Sequence, residues 1–297
     1  MSHKAKEISM FMIDGEPSSR IKCTMKNRLS VIYKIPRLML DKCQEGKGDI
    51  VKHLKQTGIY FLIGENVDTG NKTIYVGQAG VRKNGKGLYC RLNEHIKNEK
   101  ENYWSDWNEI IVFTTQNDSF GPTEISYLEN KFTNLAKEAS RYEVQNGNEP
   151  NQGNITEEKE SELQDFIDDA CVMISILGYK VFEPLVNKSI VKENLKSNDT
   201  PIFTFKGKYK AYGLFTNEGF VLLKGSEINP TLNKSAHGFT KKAREQNKLK
   251  INKDGITTED ILFSSPSASA GFVGGSSLSG NAMWKTKDGK SPKDFNL

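Results

Sequence analysis

Gly58-Ile-Tyr-Phe-Leu-Ile-Gly64 and Thr73-Ile-Tyr-Val-Gly77 are two short apolar runs, rich in β-branched and aromatic residues and bordered by glycine. Runs of this length and composition read as buried strands. Glu65-Asn-Val-Asp-Thr-Gly-Asn71 between them is dense in turn-forming residues, so an antiparallel hairpin is the simplest connection. Downstream, a helix is expected from Tyr89 to about Lys100, and the stretch from Trp104 ends in a third strand, Ile110-Ile-Val-Phe113. Ile125, Leu128, Phe132, Leu135 and Ala136 then lie on one face of a helix running from about Pro122 to Arg141. A second helix opens after Thr156, whose hydroxyl can cap the following amides. It carries Leu163, Phe166, Ile167, Ala170, Met173, Ile174 and Leu177 and stops at Gly178.

Upstream, Ile8–Ile13 and the partly alternating run Ile21–Ile35 read as strands, separated by the Asp14-Gly15 turn and closed by Pro36. Downstream, 187–200 has the composition of a linker, and residues 201–297 alternate short strands (201–209, 219–223) with a Lys-rich helix. Ser264-Ser-Pro-Ser-Ala-Ser-Ala-Gly-Phe-Val-Gly-Gly-Ser-Ser277 would by composition alone pass for a flexible linker. The pattern divides 297 residues into an N-terminal β-rich extension (1–55), a central domain (56–186), the linker and a C-terminal domain (201–297), an α+β organisation.

Composition narrows the function. Mean hydropathy is −0.58, and the longest apolar run, Val172–Leu177, is a third of a membrane span. The start, Met1-Ser-His-Lys-Ala-Lys, has no signal-peptide stretch, so membrane insertion and secretion are not expected and the cytoplasm is. Cys23, Cys43, Cys90 and Cys171 show no paired spacing and read as buried free thiols. The net charge of +5 is blocked. Six basic residues face Glu94 and Glu99 between Arg82 and Lys100, nine acidic residues face Lys159 between Glu143 and Asp169, and six basic residues face Glu245 between Lys241 and Lys253. A nucleic acid would be drawn to the first and third blocks, although any one block alone is more often a solvated face. Gly80-Val-Arg-Lys-Asn-Gly-Lys-Gly87 nearly spells a phosphate-binding loop, but Gly87 lacks the hydroxyl that holds Mg²⁺ there, which argues against nucleotide hydrolysis.

The informative set is ordered along the chain: Gly58-Ile59-Tyr60, Tyr75-Val76-Gly77, Arg91, His95 one helical turn on, Leu128-Glu129-Asn130 in a helix, then Asn146 and Asn148 in a polar loop. It resembles the GIY-YIG nuclease family over about a third of the chain, with Val76 where isoleucine is usual. The resemblance implies a small three-stranded antiparallel sheet packed by helices. It also implies a magnesium- or manganese-dependent endonuclease hydrolysing phosphodiester bonds in DNA. Phe263–Ala270 and Trp284-Lys285 also look like a C-terminal domain of unknown function that follows such modules in bacterial proteins, and that likeness implies an ordered tail.

The residue types suit in-line phosphodiester hydrolysis, which needs an activated water, charge stabilisation and a protonated leaving oxygen. One carboxylate can hold Mg²⁺ when water and phosphate complete the shell. Arg91 offers a permanent fork for phosphate oxygens, and His95 can relay a proton. A phenol with its ordinary pKa near 10 is a poor base unaided, and Lys72, Lys83 and Lys86 are equal candidates to assist it. By resemblance, Tyr60 pairs with the nucleophilic water, Tyr75, Arg91 and His95 contact phosphate and water, Glu129 binds the metal and Asn146 shapes the wall. Periodicity does not separate Glu129 from Glu124, and Asn148 competes with Asn146. Seen singly, Tyr60 and Tyr75 would be ordinary core aromatics. The competing readings are a nucleic-acid-binding protein that keeps the fold as a scaffold and a DNA-repair nuclease; restriction or defence is expected over repair. A single site cuts one strand, so double-strand cleavage requires a homodimer or two nicks.

Overall fold

The computed structural model describes residues 5–80, 87–97, 106–148, 150–151, 153–186, 201–234 and 236–295. The expected linker 187–200 lies outside them, as do Lys83, Lys86 and most of the Gly80–Gly87 loop. The chain forms two compact units, Met1–Glu183 and Pro184–Leu297.

The first unit is built on seven strands: β1 (Ile8–Met12), β2 (Ile21–Met25), β3 (Ser30–Pro36), β4 (Gly58–Glu65), β5 (Lys72–Ala79), β6 (Trp107–Thr115) and β7 (Glu143–Val144). They form one sheet in the order β1-β2-β3-β6-β4-β5-β7. The expected hairpin is β4–β5, paired from Gly58↔Ala79 to Glu65↔Lys72. The expected three-stranded sheet is the middle of a larger one, because β3 pairs along the whole of β6 from Ser30↔Thr115 to Pro36↔Glu109. The N-terminal strands are therefore continuous with the hairpin. The run Ile21–Ile35 is two strands, because Asn27 turns the chain in the left-handed conformation (φ +59°).

Helices α1 (Asp49–His53) and α2 (Leu88–Lys97) cover one face, and α3 (Pro122–Ala139) and α4 (Glu157–Ile176) the other. Strand β4 serves both cores. Ile59, Phe61 and Ile63 meet Leu128, Phe132 and Met173, while Tyr60 and Leu62 meet Tyr33, Leu88 and Leu92. A strand buried on both faces reads as a continuous apolar run, and its sequence does. The Thr156 hydroxyl accepts the Lys159 N–H at 3.4 Å, the expected cap of α4. Helix α3 ends at Ala139, two residues early, where Ser140 turns left-handed (φ +53°). The first amides of α2 are held by the turn after α1, with Tyr89 N–H on Leu54 O at 2.8 Å. Gly87 is needed there, since a Cβ would overlap the Gln56 carbonyl oxygen. All four cysteines are free, Cys23 and Cys43 buried, Cys90 and Cys171 half-buried.

The second unit carries an antiparallel sheet of β8 (Phe203–Phe205), β9 (Tyr212–Thr216), β10 (Gly219–Leu222), β11 (Ile261–Phe263) and β12 (Trp284–Lys285), ordered β11-β10-β9-β8-β12. Helices α5 (Gly238–Gln246), α6 (Pro266–Gly274) and α7 (Gly280–Met283) pack with it. The small-residue stretch is the buried helix α6, capped by Ser265, whose Oγ accepts the Ala268 N–H at 3.2 Å. Its residues are small because neighbours approach closely: a Cβ on Gly280 would stand 2.5 Å from the Ser267 nitrogen. Trp284 is fully buried, donates Nε1–H to Pro266 O at 3.0 Å, and stacks near Phe205 and Phe220. Among the described residues, no helix is long and apolar enough to cross a membrane.

Candidate functional site

Antiparallel pairing sets Tyr60 opposite Gly77 and Tyr75 opposite Leu62, so both phenols stand on the α2 face of the sheet. The ring centroids of Tyr60 and Tyr75 are 6.3 Å apart. Helix α2 lays His95 edge-on against both, 5.4 Å from each. Tyr60 Oη lies 2.8 Å from His95 Nε2. Burial, reinforced by the Arg91 charge, pushes the imidazole down to about 4. The ring is thus neutral at pH 7, and with its proton on Nδ1 it accepts the Tyr60 hydroxyl.

Gly77 explains the geometry of the second tripeptide. A Cβ there would overlap Tyr60 Cζ and Oη, so the phenol occupies the space a side chain would fill. Tyr60 is fully buried and Tyr75 only partly. Burial, with Tyr75 beside it, holds the Tyr60 phenol well above its usual range, and the Arg91 guanidinium opposes that rise. Arg91, one turn before His95, pairs with Glu94 at 3.1 Å.

Glu129 comes from the opposite side of the sheet, on α3. Its Oε2 accepts the Gln78 Nε2–H at 2.8 Å, at the β5 edge. Burial raises its carboxyl, countered by the Gln78 hydrogen bond and the Arg91 charge. On the Tyr60 phenol the Arg91 charge opposes the rise and Glu129 adds the smallest contribution to it. Beyond the two-residue pairing of β7, Gln145 N–H reaches Ile74 O at 2.8 Å. The Asn146 side chain then brackets Val76, accepting its N–H at 3.1 Å and donating to its carbonyl at 2.7 Å. Asn148 is exposed and does neither.

The structure also separates candidates that periodicity leaves level. Glu124 accepts the Gly121 N–H at 3.1 Å and pairs with Lys159 at 3.5 Å, closing the start of α3. Lys72 sits over the Tyr142 ring, five residues from Gly77 along β5, which is about 16 Å; it does not assist Tyr60. Gln78, Glu94 and the packing role of Gly77 were not read from sequence, although Gln78 is a lone amide in an apolar strand directly after the tripeptide. Among the described residues, no group of three or more His, Cys, Asp or Glu could hold a metal. The donor set is one half-buried carboxylate beside a cation, which fits a Mg²⁺ ion completed by water and phosphate and does not fit an all-protein cage.

Residues 202–296 match the family model of a domain of unknown function, DUF4357. No curated protein and no solved structure matches the chain.

Proposed function

We propose that residues 58–148 form a GIY-YIG-type active site that hydrolyses phosphodiester bonds in DNA. The observation that carries this reading is the meeting of two phenols and an imidazole on one face of the sheet, with Arg91 one helical turn from the imidazole. Glu129 would hold Mg²⁺ or Mn²⁺, which supplies charge stabilisation at the phosphate. Arg91 binds the non-bridging oxygens, and Tyr75, the less buried phenol, faces the substrate. Tyr60 does not ionise unaided at pH 7, being buried and held above its ordinary range. Its hydroxyl donates to His95 Nε2, which leaves the phenol oxygen to accept a hydrogen bond from the attacking water and orient it. No free phenolate is needed.

The scaffold reading draws on the full burial of Tyr60, which suits a core aromatic equally well. Plasmid nicking with Mg²⁺ and with chelator separates the two. Metal-dependent nicking that Glu129→Ala abolishes, with unchanged circular dichroism, supports the nuclease; nicking retained in that variant overturns it.

A further inference from the structure

We propose that the C-terminal unit holds a nucleotide-binding site between α5 and α6, with the phosphate at the two helix starts and the base on Phe239. A cavity of about 320 Å³ lies there, a volume in the range of small-molecule sites. His237, Phe239 and Thr240 line it from α5, and Ser265, Ser267 and Ala268 from α6. These are the N-cap, second and third positions of each helix, so both helices begin at the same space.

One donor on the cavity has no partner in the fold. Thr240 is only 4% exposed, yet among the described residues nothing hydrogen-bonds its hydroxyl. Thr73 and Ser269 also carry unpartnered hydroxyls, but those are sealed from solvent, whereas Thr240 Oγ1 is not and reaches the cavity. Gly271 keeps it open, since a Cβ there would stand 3.0 Å from Thr240 Oγ1. A buried hydroxyl left without a partner is costly, and a ligand oxygen removes that cost.

The surroundings select an anion. His237 makes no side-chain cap, so the Phe239 and Thr240 N–H groups stay unbonded. Neither helix has an acidic residue in its first turn, and among the described residues no carboxylate lines the cavity. Lys241 and Lys242 follow directly and are exposed. Two positive helix ends without a local anion suit a phosphate. The rest of the lining is largely apolar, with Leu278, Ala268 and Phe239, whose ring is 51% exposed. A ring so placed stacks on a base, which inorganic phosphate lacks. The shared chemistry is a nucleoside phosphate, either free or within a single strand, and the site is independent of residues 58–148.

Calorimetric titration of the full-length protein with deoxyadenosine 5′-phosphate tests this. The expected result is one site with Kd below about 1 mM, and binding at least about tenfold weaker for deoxyadenosine and for inorganic phosphate. Phe239→Ala removes the stacking ring and Thr240→Val the unpartnered hydroxyl; each should weaken binding by about tenfold with no loss of melting temperature. If Thr240→Val does not fold, Phe239→Ala decides. An oligodeoxyadenylate without terminal phosphates separates the sources: it binds as tightly if the site takes a strand, and not at all if it takes the free nucleotide. No binding of either ligand, equal binding of inorganic phosphate, or affinity unchanged in both variants overturns the proposal. Loss of binding in Glu129→Ala also overturns it, by placing the ligand in the nuclease site; binding retained there lets the two readings fail separately.

Discussion

Gly77→Ala tests the site at its tightest point. The added Cβ would overlap Tyr60 Cζ and Oη and come within 2.7 Å of Cε2. Gly77 does not have a positive φ, so the penalty is packing and not backbone strain. Overpacking a filled core costs about 1–3 kcal/mol. For a unit of this size that is a fall of about 2–12 °C in its thermal transition. The ring can yield only by leaving His95, so nicking should fall with stability. A double-mutant cycle isolates the contact: Tyr60→Leu removes Cζ, Oη and Cε2. In that background Gly77→Ala should cost less than about 0.5 kcal/mol. Calorimetry of the four proteins gives the coupling. An equal Gly77→Ala cost in both backgrounds would refute the claim that the phenol fills the glycine's space.

Glu124→Ala should lower stability by about 0.5–2 kcal/mol through loss of the helix cap while nicking persists, the converse of Glu129→Ala; the pair is read by melting and plasmid assay. His95 carries a depressed pKa in the fold, about 4 against 6.5, so the unfolded chain binds the extra proton between those values and stability falls as pH drops through that window. The full shift corresponds to about 3 kcal/mol, and partial exposure screens it to roughly half; urea titrations of wild type and His95→Asn at pH 7 and pH 4 measure the difference, and an equal pH response in both would remove His95 as its source. Trp284→Ala should cost about 3–5 kcal/mol in the C-terminal unit alone, seen as one of two calorimetric transitions moving. Deleting residues 201–297 should flatten the salt dependence of DNA affinity if the Lys241–Lys253 block contacts phosphate; an unchanged slope counts against it.

What was legible in the sequence follows from how local the signal is. The hairpin could be read because β4 is buried on both faces and announces itself as a continuous apolar run. Helix α4 could be read because Thr156 and Gly178 mark its ends. The seven-stranded sheet could not, since the β3–β6 pairing joins residues 30–36 to residues 109–115, and separate strands carry no mark of their partners. Nor was the turn at Asn27 visible, because Asn27-Arg28 is not one of the dipeptides that require left-handed backbone. Composition misread 264–277 for a physical reason. Small residues loosen an exposed chain, yet they also let helix α6 lie against α7 at backbone distance.

The site lies where the β5–β7 pairing ends. Tyr60 and Tyr75 project from one face of the sheet and Glu129 packs against the other, so within a wide sheet they would be walled apart. The β7 pairing covers β5 only at Thr73 and Ile74. Past that point Asn146 stands in for a single further peptide of the ladder, closing Val76 and adding no strand. Gln78 lies past that pairing, three residues after Tyr75 and so on the α3 face, where its amide donates to Glu129. An asparagine is suited to this because its side chain presents one donor and one acceptor with the spacing of a peptide, which aspartate cannot do while ionised. The polar loop that reads as featureless in sequence thus closes one further peptide of β5 through a side chain and ends the ladder there.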